Sequence, residues 1–276
     1  MVLLYGKPIA EKILAETRAR IAGASAVPGL AVILIGDDAS SHLYVGLKEK
    51  AAQAIGIHFE KHFFSEKTLC KEIFERIAEL NGRDDIHGII VQLPLPSGFP
   101  TDEIIAHIDH KKDTDGFHPE TLSRFLLGQY DACPVFPRAV VELLRGTKQT
   151  FNGEKGLVVA NSELLGKVMA QALTLEGLNS EYVLSSEKKE ILLEKIRAAR
   201  VIVTACGIAD FITGEMLLAN AIVIDGGIAH KGDIVVGDVE RKSVENKIAY
   251  LSPVPGGVGP VTVATLLARV ADMALN

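Results

Sequence analysis

Tyr44 and Lys48 stand four residues apart in the stretch SSHLYVGLKEK. On a helix that spacing puts the phenol and the amine on one face. A phenol beside an ammonium can depress the lysine pKa or hold the amine in place, more so when the pair is partly desolvated. A lysine with a lowered pKa is a usable proton shuttle. A buried tyrosine beside a solvated lysine fits the same spacing. A second stretch, GIIVQLPLP, reads as a buried strand that ends in Gln92 and runs into a proline-rich turn. Ligands of open parallel sheets gather at the carboxyl ends of strands. There a side-chain amide can donate to and accept from a substrate, or simply cap a loop. The third stretch is DTDGFHPET, residues 113–121. Asp113 and Asp115 flank a threonine, and a glycine, an aromatic, His118 and a proline follow. A metal site, an acid–base pair, a ligand clamp and a surface turn all remain open for it. His118 has two aspartates nearby, but the eight histidines are read as forming no metal-ligating set, so no metal is expected.

Two further stretches could hold a ligand with their backbone. GLVVANSELLGKVMAQAL reads as a strand, a tight turn and a helix start. Ser162 is a natural N-cap, and Gly166 allows close helix–strand packing. A helix N-terminus is a ready phosphate site. The turn is not GxGxxG, since Ala160, Asn161 and Ser162 stand where glycines would be expected, so an ordinary strand–helix turn competes with a nucleotide site. In SPVPGGVGPVT, the prolines and glycines from Pro253 to Pro260 fix a loop whose backbone can approach a flat ligand. A rigid connector would look the same.

These groups must be positioned by a chain of 276 residues, enough for one large or two modest domains. Hydrophobic residues make up 48%, so a core is easily buried. A net charge of −6 and a pI near 5.8 argue against a nucleic-acid-binding surface. No run of about 18 apolar residues is evident, so no membrane span is expected, and the N-terminal stretch does not read as a secretory signal. Cys70, Cys133 and Cys206 are far apart and read as reduced thiols of a cytoplasmic protein.

Short β-branched runs alternate with helical patterns. Strands are predicted at 31–36, 58–64, 86–92, 156–161, 181–185, 200–206 and 220–227, and helices near 40–55, 68–81, 164–177, 187–199 and 261–275. The repeated order predicts an α/β protein with parallel sheets. Pro94, Pro96, Pro100, Pro119, Pro134 and Pro137, six of the eleven prolines, fall within 93–137. That region reads as functional loops between two α/β halves.

In order, YVGLK, GIIVQLPLP, DTDGFHP, GEKGLVVANSELLGKVMA, AIVIDGGI, GDV and PVPGGVGPVTVATL resemble the bifunctional methylenetetrahydrofolate dehydrogenase/methenyltetrahydrofolate cyclohydrolase family, from about residue 31 to the C-terminus. The resemblance implies an N-terminal α/β folate and catalytic domain at 1–120, with the C-terminal helix 261–276 packing back on it. It implies a Rossmann-like NAD(P)-binding domain at 121–260. It implies hydride transfer from methylenetetrahydrofolate to a nicotinamide, then water attack on the methenyl product to give 10-formyltetrahydrofolate. Carried onto matching positions, Lys48 is the central catalytic residue, Tyr44 stacks on or orients the pterin, Gln92 holds Lys48, and Asp115 grips the pterin amino and ring N–H groups. Leu93, Pro253, Pro255, Gly256 and Gly257 complete the substrate site. Ala160, Asn161, Ser162, Gly166, Ser185, Lys188 and Ile228 fall at the cofactor site, with NADP expected and NAD possible. The resemblance also implies a cytoplasmic homodimer acting on tetrahydrofolate derivatives.

The sequence departs from the family pattern in the cofactor half. Asn161 lacks the charge of the arginine the family often carries there, and Glu163 puts a negative charge beside the expected pyrophosphate. PVFPRA, residues 134–139, replaces proline-cysteine-threonine-proline-x-glycine, and Gly226 replaces a valine. Two alternatives stay open: a cyclohydrolase with a degenerate nucleotide site, and a non-catalytic folate- or nucleotide-binding module. A nicotinamide absorbance assay separates the first from the bifunctional enzyme. The presence of Lys48 argues against the second.

Overall fold

The computed structural model describes residues 1–232 and 234–275. In chain order its elements begin with β1 (Val2–Leu3), α1 (Gly6–Ala22), β2 (Gly29–Ile35), α2 (Ala39–Ile55), β3 (His58–Phe64), α3 (Cys70–Asn81), β4 (Gly88–Val91), α4 (Thr101–Ala106), α5 (Pro119–Leu126) and α6 (Val135–Arg145). Then follow β5 (Lys155–Ala160), α7 (Glu163–Leu175), β6 (Asn179–Leu184), α8 (Lys189–Ala198), β7 (Val201–Ala205), β8 (Ile222–Asp225), β9 (Ala229–Lys231), β10 (Ile234–Val236), α9 (Arg241–Val244), β11 (Tyr250–Leu251) and α10 (Val258–Leu275).

The chain divides into two compact units. One comprises Glu11–Arg124 with the segment from Val263 on, the other Met1–Ala10 with Phe125–Thr262. The first ten residues join the second unit, because Val2 and Leu3 pair in parallel with Tyr250 and Leu251.

The first unit is built on a parallel sheet in the order β3-β2-β4. The central strand GLAVILI is buried at every residue, as expected of a parallel strand covered on both faces. β3 is an edge strand, and His58, Lys61 and Phe63 are exposed along it. The second unit carries an all-parallel six-stranded sheet in the order β6-β5-β7-β8-β11-β1. β9 and β10 form a separate antiparallel hairpin.

Three features differ from the sequence reading. Residues 93–137, expected as loops, hold α4, α5 and the start of α6. Pro100 and Pro134 are the N-cap residues of α4 and α6, and Pro119 is the first residue of α5. In the first turn of a helix a proline loses no hydrogen bond and its φ is preset, so Pro100, Pro119 and Pro134 mark helix starts. The sequence pattern predicts no helix where α1 lies. Its buried seam includes Ala10, Thr17 and Ile21, and the Thr17 hydroxyl donates to the Ile13 carbonyl at 2.8 Å, so the apolar periodicity is weak. Finally, α10 is long and apolar enough to cross a membrane, with a mean hydropathy of 1.4 over 18 residues. Half of that stretch is buried within the protein. Its hydropathy comes from a core-facing row that includes Ala264, Leu267 and Ala271, and its Asp272 pairs with Arg20 at 2.7 Å.

Candidate active site

Helix α2 starts where the Asp38 carboxylate accepts the Ser41 N–H at 2.7 Å, and it stops at Gly56 in the left-handed conformation. Its buried residues are Ser41, Val45, Ala52 and Ile55. Lys48 falls on the same seam, three residues after Val45 and four before Ala52. A lysine therefore occupies a core-facing position. Burial pushes its ammonium below the ordinary lysine value, and the charge of Asp115 opposes that push. Tyr44, half-buried, lies one turn earlier on the same side of the helix.

Gln92 follows the last residue of β4, and its backbone N–H continues the ladder to Ile33 O at 2.9 Å. Its side chain is 9% exposed. The Gln92 Nε2 donates to the carbonyl of Leu93 at 2.7 Å, which turns Oε1 toward Lys48. Lys48 Nζ donates to that oxygen at 2.7 Å. The amide thus uses one end to fix itself and the other to hold the amine.

The two aspartates of DTDG have separate tasks. Asp113 is 1% exposed, and its carboxylate accepts the N–H groups of Gly116 at 3.0 Å and His118 at 2.8 Å. It shapes the turn, which Gly116 completes at φ +85. The loop lies against β4 like a short extra strand. Ile89 N–H donates to Lys112 O at 2.8 Å, and Thr114 N–H donates to Ile89 O at 3.4 Å. Lys112 Nζ donates to the carbonyls of Leu80, Asn81 and Arg83 at the C-terminal end of α3. Asp115 is left to face Lys48. Burial pushes its carboxyl above the usual carboxylate range, the Lys48 charge pulls it down, Asp113 pushes it up, and Arg269 on α10 pulls it down. Lys48, Gln92 and Asp115 are thereby brought together from a helix, a strand end and a loop of one unit.

No group of three or more His, Cys, Asp and Glu residues placed to hold a metal ion occurs among the described residues. One histidine pair does have ligand-like spacing. His58 and His62 are four apart, but they lie on β3 and both reach Glu60, at 2.9 and 3.2 Å. His118 Nδ1 accepts the Glu120 N–H at 3.1 Å.

In the second unit, β5 ends at the buried Ala160, and the exposed Asn161 and Ser162 lead into α7. Ser162 Oγ caps the helix by accepting Leu165 N–H at 3.4 Å. Glu163, in the first turn, pairs with Lys167 at 3.0 Å, which offsets its negative charge. A Cβ on Gly166 would lie 2.5 Å from Tyr182 Cδ2, so glycine alone lets α7 approach β6. Half-buried Ser185 donates its N–H to Ala160 O at 2.8 Å, and exposed Lys188 stands at the N-cap position of α8 without a side-chain cap bond. The loops after β7 and β8 are tied by two buried carboxylates that the sequence reading did not single out. Asp238 accepts from Thr204 Oγ1, Cys206 N–H and Ile208 N–H at 2.7 to 2.8 Å. Asp225 accepts from Gly227, Asp238 and Val239 N–H groups at 3.0 to 3.1 Å. Burial pushes Asp225 up to about 7, against the pull of those backbone donors. Ile228, half exposed, sits on the loop so fixed. The loop of Pro253, Pro255, Gly256 and Gly257 belongs to this unit and accepts the Gly6 N–H on Gly256 O at 2.8 Å.

Residues 4–115 match the catalytic domain of tetrahydrofolate dehydrogenase/cyclohydrolase, and residues 134–276 match its NAD(P)-binding domain. The chain belongs to the tetrahydrofolate dehydrogenase/cyclohydrolase family. Among family relatives, the bifunctional protein FolD of Desulfovibrio desulfuricans is 40% identical over 273 residues, spanning 97% of this chain and 96% of the relative. The crystal structure of the bifunctional FolD of Campylobacter jejuni superposes with a TM-score of 0.93 at 34% identity, covering 99% of this chain and 98% of that one. The Trypanosoma brucei family member, complexed with NADP cofactor and inhibitor, has a TM-score of 0.94 at 29% identity, with coverage of 99% and 97%.

Proposed function

We propose that this chain oxidises 5,10-methylenetetrahydrofolate to 5,10-methenyltetrahydrofolate with NADP and hydrolyses that product to 10-formyltetrahydrofolate. Besides family membership, one observation carries the reading: an amine on a buried helix seam, fixed by Gln92 Oε1, whose lowering by burial is opposed by the Asp115 charge. Hydride transfer from the methylene carbon requires orientation rather than a protein base. Asp115 accepts the pterin amino and ring N–H groups, Tyr44 packs on the ring, and Leu93 lies beside them at the strand end. In the hydrolytic step water adds to the methenyl carbon, the bond from that carbon to one folate nitrogen breaks, and the nitrogen takes a proton. A lysine with a lowered pKa can manage those protons, and Gln92 keeps it in place.

The start of α7 fits the dinucleotide pyrophosphate. It is a 13-residue helix behind β5, capped by Ser162, with Gly166 allowing the close approach. When bound, NADP supplies the hydride acceptor. Lys188 and Lys189, both exposed after β6, support NADP over NAD at the ribose phosphate. The reading includes a cytoplasmic location, in keeping with the wide spacing of Cys70, Cys133 and Cys206, and a homodimer. Net charge of −6 favours no nucleic-acid partner.

The test is steady-state kinetics with NADP and NAD beside a methenyltetrahydrofolate hydrolysis assay. Both activities are expected, with the lower KM for NADP. Hydrolysis without reduction of either nicotinamide leaves a cyclohydrolase alone. Folate binding without turnover leaves a binding module. A lower KM for NAD overturns the cofactor assignment.

A further inference from the structure

The sheet of the second unit has a switch point. From β5 the chain goes to β6 on one side and then to β7 on the other, in the order β6-β5-β7-β8-β11. Ligands of such sheets lie outside the carboxyl ends at that point. The end of the second strand, β6, reads the ribose of the adenosine half. The nicotinamide half therefore lies toward the ends of β7 and β8.

At that edge Gly226 follows β8, its N–H donating to Thr204 O at 2.8 Å. Gly226 does not adopt the positive φ seen at Gly207 and Gly232, so its backbone makes no demand for glycine. Its neighbours do. A Cβ there would lie 2.7 Å from Phe136 Cζ, 3.3 Å from Phe136 Cε2 and 3.2 Å from Thr204 O. Phe136 stands in the first turn of α6 and is half-buried. Its ring tip rests on the bare backbone of Gly226, and part of the ring stays at the surface. Both positions depart from the family pattern, in opposite directions of size, and they meet in space. The bed beneath is rigid, because a Cβ on Gly227 would run into the Asp238 carboxylate, and one on Gly237 into that of Asp225.

We propose that Phe136, seated on Gly226, is a positioning residue for the nicotinamide ring, an aromatic wall that sets how deeply this end of the dinucleotide enters. The proposal rests on the bifunctional reading above. It needs Gly226 bare, because any side chain there displaces the ring.

Four proteins test it: wild type, Phe136→Ala, Gly226→Ala and the double variant. Hydrolysis of methenyltetrahydrofolate, which uses no nicotinamide, and thermal melting report on folding. Each single variant is expected to raise the NADP KM by roughly ten-fold, about 1.4 kcal/mol, with the methylenetetrahydrofolate KM unmoved. In the Phe136→Ala background, Gly226→Ala should add nothing, since the ring it would displace is gone. Phe136→Tyr should keep the wild-type NADP KM. Single variants that melt earlier but keep the NADP KM overturn the proposal, as do two effects that simply add. A wild type that hydrolyses but reduces no NADP overturns the functional reading first, and the nicotinamide wall with it.

Discussion

Lys48→Met is expected to lower methenyltetrahydrofolate hydrolysis by about 10²- to 10⁴-fold, the span a positioned acid–base group contributes. Methionine suits the site. Lys48 shares its seam with Val45, Ala52 and Ile55, so a linear apolar side chain keeps the packing and removes a desolvated charge. The melting temperature should therefore hold or rise, while Gln92 Oε1 loses its 2.7 Å donor. Hydrogen-bond loss alone would cost far less than the acid–base role. A folded Lys48→Met protein that still hydrolyses at near the wild-type rate contradicts the assignment.

Asp115→Ala is expected to weaken both activities together, because both use one pterin clamp. Leaving pterin donors unpaired in a partly dry site costs about 1–3 kcal/mol, which corresponds to roughly five- to hundred-fold in the folate KM. The variant also removes the charge that opposes the desolvation of Lys48. With that opposition gone, the Lys48 pKa falls further, so the limb of the hydrolysis pH profile that reports this amine moves to lower pH. Loss of one activity alone, or a limb that moves to higher pH, counts against the shared role. Asp113 should behave differently. Its two backbone hydrogen bonds make it a fold residue, so its removal should lower stability along with activity.

Strands were legible where burial on both faces wrote itself as continuous apolar runs, as in GLAVILI and VIVTA. Tyr44, Lys48 and Gln92 were legible because a helix spacing and a strand end are local signals. The division of labour in DTDG was not. Both aspartates look alike until a loop fold gives one its backbone donors and leaves the other facing an amine. A signal was nonetheless present: Lys48 interrupts the buried seam Ser41, Val45, Ala52, Ile55, and a charge on a seam marks either function or a misplaced helix. The helices within 93–137 were hidden because proline reads as a breaker unless it stands in a first turn. The parallel pairing of β1 with β11, the Asp225–Asp238 ties and the meeting of Phe136 with Gly226 join residues far apart in the chain. No local pattern encodes such contacts.

In the proposed function one folate site, built on Lys48, Gln92 and Asp115, serves both reactions. Its most direct test is the inhibition constant of a single non-reactive folate analogue, measured on wild-type protein against NADP-dependent oxidation of methylenetetrahydrofolate and against hydrolysis of methenyltetrahydrofolate. One shared site predicts competitive inhibition of both with the same constant, shifted equally by Asp115→Ala. Constants that differ by roughly ten-fold or more, about 1.4 kcal/mol, or a shift in only one of them, would contradict it.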